Sequence, residues 1–259
     1  KWQRVIAGMI SFGSPQKGNF SLLQPLDAEG VYGGATRFFR SNNFGDNWSR
    51  LNMQEDAVAF SEGGTGPLVA GVHAAVAERP DGSLIAVGRD TDIDGKMPIS
   101  ISVDAGESWT YSASPFPPVG TGQRPVLLTL REGPLLLISF TDQFNKDHNG
   151  FGEYPGDGIE VEDSAGRSRR LFGLFAALSE NGGTTWPEKK LITDNREPEY
   201  LETGDSAPNL KGFWIGPNRA EHSGYMAATQ TPDNTIHVIS SHWYYRFNIQ
   251  WIKTPPPPM

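Results

Sequence analysis

An all-β chain of repeated antiparallel units is the fold class this sequence predicts, on three observations. The 259 residues include 30 Gly and 20 Pro with 11% aromatics, a balance that suits many short strands joined by tight turns better than helices. Short apolar runs alternate with Asp-Gly and Pro-rich turn signals along most of the length. An eight-residue pattern also occurs three times: Ser41-Asn42-Asn43-Phe44-Gly45-Asp46-Asn47-Trp48, Ser102-Val103-Asp104-Ala105-Gly106-Glu107-Ser108-Trp109 and Ser179-Glu180-Asn181-Gly182-Gly183-Thr184-Thr185-Trp186. Each copy has Ser first, Asp or Asn third, Gly fifth and Trp eighth. That is the chemistry of a hairpin corner: the Asx oxygen caps backbone N–H groups, Gly takes the positive-φ position and Trp packs beneath.

Taken in order, residues 2–12 read as a strand ending at Gly13-Ser14-Pro15, and residues 35–40 lead into the first repeat, giving strand, corner, strand through Leu51. The second unit is the clearest: strands at 72–77 and 84–88 around Pro80-Asp81-Gly82, then 98–101, the second repeat and 109–111. Four strands and three turns make one blade of a β-propeller. The third unit repeats that order with strands at 125–130, 135–140 and 171–178 and the third repeat. Its excursion over 141–170 exceeds the roughly 15 residues at which an unstructured loop is suspect, so it is expected to be partly ordered, with a hairpin at the acidic run 157–163. Residues 224–229, 236–240 and 247–252 read as the three strands of a last unit, with residues 242–246 in a loop. The N-terminal strand is expected to supply the fourth and close the ring. The repeats begin 61 and 77 residues apart, at positions 41, 102 and 179. The expectation is one propeller domain over 1–259 with about four blades, part of a six-bladed ring if complete and so lacking N-terminal blades. The start at Lys1 without Met or signal peptide fits a processed or truncated product.

Composition excludes several functions. A formal net charge of -8 disfavours nucleic acid and anionic membranes as bulk partners. No apolar run approaches the roughly 20 residues a membrane span needs. With no cysteine and five scattered His, neither disulfides nor a metal-ligand spacing is present, and no cofactor is expected.

The three corners resemble the Asp-box, or BNR, repeat S-x-D-x-G-x-T-W of sialidases and related propellers, with Asn43 and Asn181 replacing the Asp and Asn47 and Ser108 the Thr. The segments Gly71-Val72-His73-Ala74, Met97-Pro98-Ile99-Ser100-Ile101-Ser102 and Ala227-Ala228-Thr229-Gln230-Thr231-Pro232 are similar to those of exo-sialidase-like BNR proteins. In that family the repeats lie opposite the active face, which places function on the strand 2 to 3 loops and the links between blades. On that face the sequence sets Arg89, Asp90, Asp92 and His73 in the second unit, Arg124 opening the third, Glu221 and His222 opening the last, and His242, Tyr244, Tyr245 and Arg246 in its loop. Three arginines can clamp a carboxylate bidentately. The resemblance implies that Arg89, Arg124 and Arg246 form this clamp, helped by His242 and Asp92. It further implies Tyr244 or Tyr245 as nucleophile, Glu221 as its partner and Asp90 or Asp92 as acid; His73 and His222, by their place on the same face, are further catalytic candidates. Strand alternation lets only one of the two tyrosines face a pocket. The family's Phe/Tyr-Arg-Ile-Pro motif is absent. The implied function is a glycoside hydrolase that removes a terminal acidic sugar, secreted or periplasmic. Two alternatives stand: a lyase or hydrolase of uronic-acid polysaccharide using a His/Tyr pair as base and acid, or a non-catalytic propeller that binds a glycan or protein.

Overall fold

The computed structural model describes residues 10–12, 21–27, 35–51, 63–66, 69–89, 92–120, 122–142, 158–193, 196–202 and 212–258. The chain divides into two compact units, Lys1–Pro118 and Val119–Met259.

The first unit holds β1 (Ile10–Phe12), β2 (Ser21–Asp27), β3 (Ala35–Ser41), β4 (Ser49–Arg50), β5 (Gly64–Gly66), β6 (Val69–Ala70), β7 (Val72–Glu78), β8 (Leu84–Arg89), β9 (Pro98–Ser102) and β10 (Trp109–Ala113). One sheet runs β1-β2-β3-β4, with β6 also on β3; the other runs β5-β10-β9-β8-β7. Strands β7 to β10 are the antiparallel meander expected of the second unit. Phe38, Leu51, Val69, Ala74, Val76, Leu84, Ala86 and Trp109 pack into one core, where Phe38 and Trp109 stack with centroids 5.2 Å apart. Such a pair adds about 1 kcal/mol beyond its buried area.

The three corners share one hydrogen-bond scheme, which explains the sequence pattern position by position. The first-position Ser hydroxyl accepts the N–H of the fifth residue, from Gly45 (2.9 Å), Gly106 (2.8 Å) and Gly183 (2.8 Å). The third-position Asx oxygen accepts the N–H of the seventh, from Asn47, Ser108 and Thr185, each at 2.9 Å. The Trp indole then donates to the fifth carbonyl at 3.0–3.1 Å. The fifth residue sits at φ 93°, 90° and 92°, where a side chain is strained and Gly is not. Asn serves as well as Asp because only an acceptor oxygen is needed there.

The second unit holds β11 (Gln123–Arg124), β12 (Val126–Thr129), β13 (Leu135–Phe140), β14 (Ile159–Glu162), β15 (Ser168–Leu171), β16 (Leu174–Ser179), β17 (Glu188–Leu191), β18 (Glu199–Leu201), β19 (Phe213–Ile215), β20 (Gly224–Tyr225), β21 (Ala227–Gln230), β22 (Ile236–Ile239), β23 (Tyr244–Phe247) and helix α1 (Ile249–Lys253). The four-stranded sheet β12-β13-β16-β17 is its blade. Every residue of β13 and β16 is buried, as continuous apolar runs in a sheet covered on both faces require. The hairpin expected in the long excursion is β14–β15. A parallel bridge joins β11 to β20, and β21-β22-β23 form a three-stranded sheet.

Two expectations need correction. Residues 248–252 are not a strand: Phe247 ends β23, Asn248 caps α1 by accepting the Trp251 N–H, and buried Lys190 donates to the carbonyls of Trp251 (2.9 Å) and Thr254 (2.7 Å), tying the helix C-terminus to β17. Residues 244–246, expected in a loop, are instead strand β23, and the loop shrinks to a turn in which the Ser240 N–H reaches Trp243 O. Of the N-terminal strand the described part, β1, pairs with β2. The rest of that strand, 2–9, lies outside the described residues, as does Asp90.

Candidate active site

In the second unit, the link from β19 to β20 and the turn from β22 to β23 bring titratable groups together around one buried carboxylate. Glu221 is fully buried. Its Oε1 takes the Nδ1 proton of His242 at 2.5 Å and its Oε2 takes the Tyr245 hydroxyl proton at 2.8 Å. Backbone geometry makes room for this: Gly224 sits at φ 146°, and a Cβ there would lie 2.9 Å from Glu221 Oε1. Any side chain at 224 would displace the carboxylate.

The imidazole of His242 is about 95% buried. With Nδ1 held by Glu221, its Nε2 is buried and has no hydrogen-bond partner among the described residues. The Phe213 ring lies 5.6 Å from that of His242 and 6.2 Å from that of His222, centroid to centroid. Burial, and secondarily the His242 charge, push the His222 pKa down to about 4, so His222 is neutral at ordinary pH. Beneath them Gln123, fully buried, donates through Nε2 to the carbonyls of Asp142 (2.7 Å) and His222 (2.8 Å) and accepts the Gly120 N–H at 2.8 Å. Asp142 accepts the Thr141 hydroxyl at 2.5 Å.

Alternation along β23 separates the neighbouring tyrosines. Tyr245 and Phe247 pair with Val238 and Ile236 on the inner face; Tyr244 and Arg246 pair with Ile239 and His237 on the outer face. Tyr244 is 57% exposed, and its hydroxyl meets His237 Nδ1 at 2.5 Å. Of the sequence candidates, Glu221, His242 and Tyr245 are therefore in direct contact, and His222 adjoins them through Phe213. Arg124 is half-buried on β11, opposite Tyr225 and one residue from Gln123. Arg246 is exposed on the face away from Tyr245. In the first unit, Arg89 is buried at the end of β8 opposite Val72. His73 is buried at the bulge between Val72 and Ala75 with φ 54°, an uncommon value for a residue other than Gly. Asp92 is exposed and its carboxylate caps the Gly95 N–H at 3.0 Å in a turn. Sequence reasoning missed Gln123, Phe213, Asp142 and His237, none of which carries a local signature. Among the described residues no cluster of His, Asp and Glu could hold a metal ion, and no helix is long and apolar enough to cross a membrane.

The chain matches no protein-family model and no curated protein. Solved structures do resemble it. The intramolecular trans-sialidase from Ruminococcus gnavus in complex with oseltamivir carboxylate superposes with TM-score 0.50 at 18% identity over 91% of this chain and 42% of its own. The leech intramolecular trans-sialidase complexed with 2,7-anhydro-Neu5Ac gives 0.51 at 14% identity, over 90% of this chain and 30% of its own. The NanB sialidase from Streptococcus pneumoniae gives 0.51 at 16%, with the same coverage of 90% and 30%. The fold is that of a sialidase-like β-propeller. This chain spans less than half the length of each of these proteins, and at such identities the likeness is one of architecture.

Proposed function

We propose that this chain is the catalytic part of a sialidase-like glycoside hydrolase that removes a terminal acidic sugar, with Tyr245 as nucleophile and Glu221 as its base. The observation that carries the reading is the Tyr245 hydroxyl donating to a fully buried carboxylate at 2.8 Å. A phenol is a weak nucleophile until a positioned base takes its proton. Glu221 is so positioned, and its second oxygen is fixed by His242. The proton passes from Tyr245 to Glu221 Oε2 as the phenolate attacks the anomeric carbon. The sugar–oxygen bond breaks, and the leaving oxygen takes a proton from water. Water then hydrolyses the sugar–tyrosine bond with retention. The sialidase-like fold supports an acidic sugar as substrate. Arg124, half-buried on β11 beside Gln123 and opposite Tyr225, is the arginine of this unit proposed to bind the sugar carboxylate; Arg246, on the other face of β23, takes no part in it. Work outside the cytoplasm goes with the same reading.

A second reading is favoured by a different atom. His242 Nε2, buried and without a partner among the described residues, is what a general base oriented by Glu221 would present, so proton abstraction from a uronic-acid polysaccharide is the alternative chemistry. A panel of glycans ending in sialic or uronic acids, with products resolved by chromatography and mass spectrometry, tests both. The first reading expects a released acidic monosaccharide and at least about 100-fold loss of kcat in Tyr245→Phe. Unsaturated products that persist in Tyr245→Phe favour the second. Binding without turnover would sink both and leave a glycan-binding propeller.

A further inference from the structure

The outer face of the last sheet carries a chain of hydrogen bonds that the Glu221 site does not use. The Thr231 hydroxyl donates to Asp233 Oδ1 at 2.5 Å. A hydroxyl has one proton, so toward His237 Nε2, 3.1 Å away, Thr231 can only accept. His237 therefore carries its proton on Nε2, and in the neutral ring Nδ1 is left with a lone pair. That lone pair faces the Tyr244 hydroxyl at 2.5 Å. The two rings stack at 5.9 Å and 21°, which fixes the imidazole against the phenol. Asp233 stays ionised at the far end, because hydrogen bonds from the Thr231 hydroxyl and the Thr235 backbone hold its carboxyl below its ordinary value.

We propose that Tyr244 is a second nucleophilic centre, a phenol activated by His237 that takes small electrophilic acyl or sulfonyl donors at the protein surface. The arrangement has the three parts such a centre needs: a reachable nucleophile, 57% exposed, a base within hydrogen-bond distance, and a third group that fixes the tautomer of the base. In the transfer the phenolic oxygen bonds to the donor's carbonyl carbon or sulfur as the bond to its leaving group breaks. The leaving group departs with the electron pair, and the phenolic proton passes to His237 Nδ1 and then to solvent. Arg246, across from His237 and exposed on the same face, supplies positive charge for an anionic donor or leaving group. The inference is independent of the roles given to Tyr245 and Glu221.

The test uses the whole chain and an aryl sulfonyl fluoride, with site occupancy followed by peptide mass spectrometry. Tyr225, 42% exposed in the same unit, is the internal standard. Tyr244 is expected to label about tenfold faster than Tyr225 or more, and that advantage is expected to vanish in His237→Gln and to shrink several-fold in Thr231→Val. A general loss of structure would raise Tyr225 labelling too, and in that event Thr231→Val decides. Labelling of Tyr244 no faster than Tyr225, or unchanged in both variants, overturns the proposal.

Discussion

Glu221→Gln tests the central carboxylate most directly. The carboxylate accepts two protons, one on each oxygen, from His242 Nδ1 and Tyr245 Oη. A glutamine amide has the same shape but only one acceptor oxygen, so its NH2 must oppose one of those donors at a residue with no exposed surface. The loss is one charge-assisted bond plus one buried donor left unsatisfied, which together come to about 3–5 kcal/mol. Denaturant titration of the wild type, Glu221→Gln, Tyr245→Phe and the double variant measures it. Tyr245→Phe alone removes a donor and leaves the carboxylate one bond short, for about 1–2 kcal/mol. The double variant should cost less than the two singles summed, by about 1–3 kcal/mol, because the lost bond is then counted once. In the same set, turnover of any cleaved glycan falls by about 10²- to 10⁴-fold in both single variants. Stability of Glu221→Gln within about 0.5 kcal/mol of wild type, with additive single effects, would refute the reasoning, since it would mean the carboxylate holds neither donor.

Three further outcomes follow from individual contacts. Asp104→Asn should be close to silent in thermal melts at neutral pH, because the sister corners already use Asn, whereas Asp104→Ala should lose about 1 kcal/mol for its exposed position. Burial tends to raise the Asp104 carboxyl, but hydrogen bonds from the Ser108 hydroxyl and backbone and from Ser102 outweigh it and hold it below its ordinary 3.8. Its contribution is thus complete above that value and is lost as pH falls through the lower native one, a dependence that Asp104→Asn should abolish in acid melts. His222, pushed by burial from 6.5 to about 4, makes the fold lose stability as pH falls from about 6.5 to 4, by roughly 3 kcal/mol; His222→Gln should flatten that stretch of the stability profile, and an unchanged slope would exclude the residue as its source. Lys190→Met should loosen α1, whose end carbonyls it caps, by about 1–3 kcal/mol, seen as faster amide exchange over 249–254 with β13 unaffected.

The corners were legible in the sequence because their chemistry is local. Each bond in them joins residues three or four apart, so one eight-residue window contains the whole device. The active-site cluster is the opposite case. Gln123 reaches His222 across 99 positions and Tyr245 reaches Glu221 across 24, so no window contains both partners. Residues could be nominated there by type and by end of strand, but not joined. Residues 248–252 failed for the same reason: their apolar spacing suits a strand or a helix, and the docking of Lys190 against the helix end comes from β17. Arg246 shows how the period of a strand decides a role. It is one residue from Tyr245 in sequence and on the other face in the sheet.

That period also bears on how many reactions this sheet can support. Tyr244 and Tyr245 are consecutive, so β23 turns their hydroxyls to opposite faces, and each meets a different kind of base: an imidazole at the surface for Tyr244, a buried carboxylate for Tyr245. One small substrate cannot engage both faces at once, so the two phenols cannot be alternative nucleophiles of a single pocket. A solvent-facing phenol beside an imidazole reacts with whatever electrophile diffuses to it and has little means of choosing. The buried pair can select, because a ligand must displace water from a site already lined by Phe213, His222 and Gly224 before Tyr245 can attack. Discrimination among sugars should therefore respond to changes around Glu221 and not to changes at His237, and a His237→Gln variant with an altered glycan preference would contradict the assignment of the two faces.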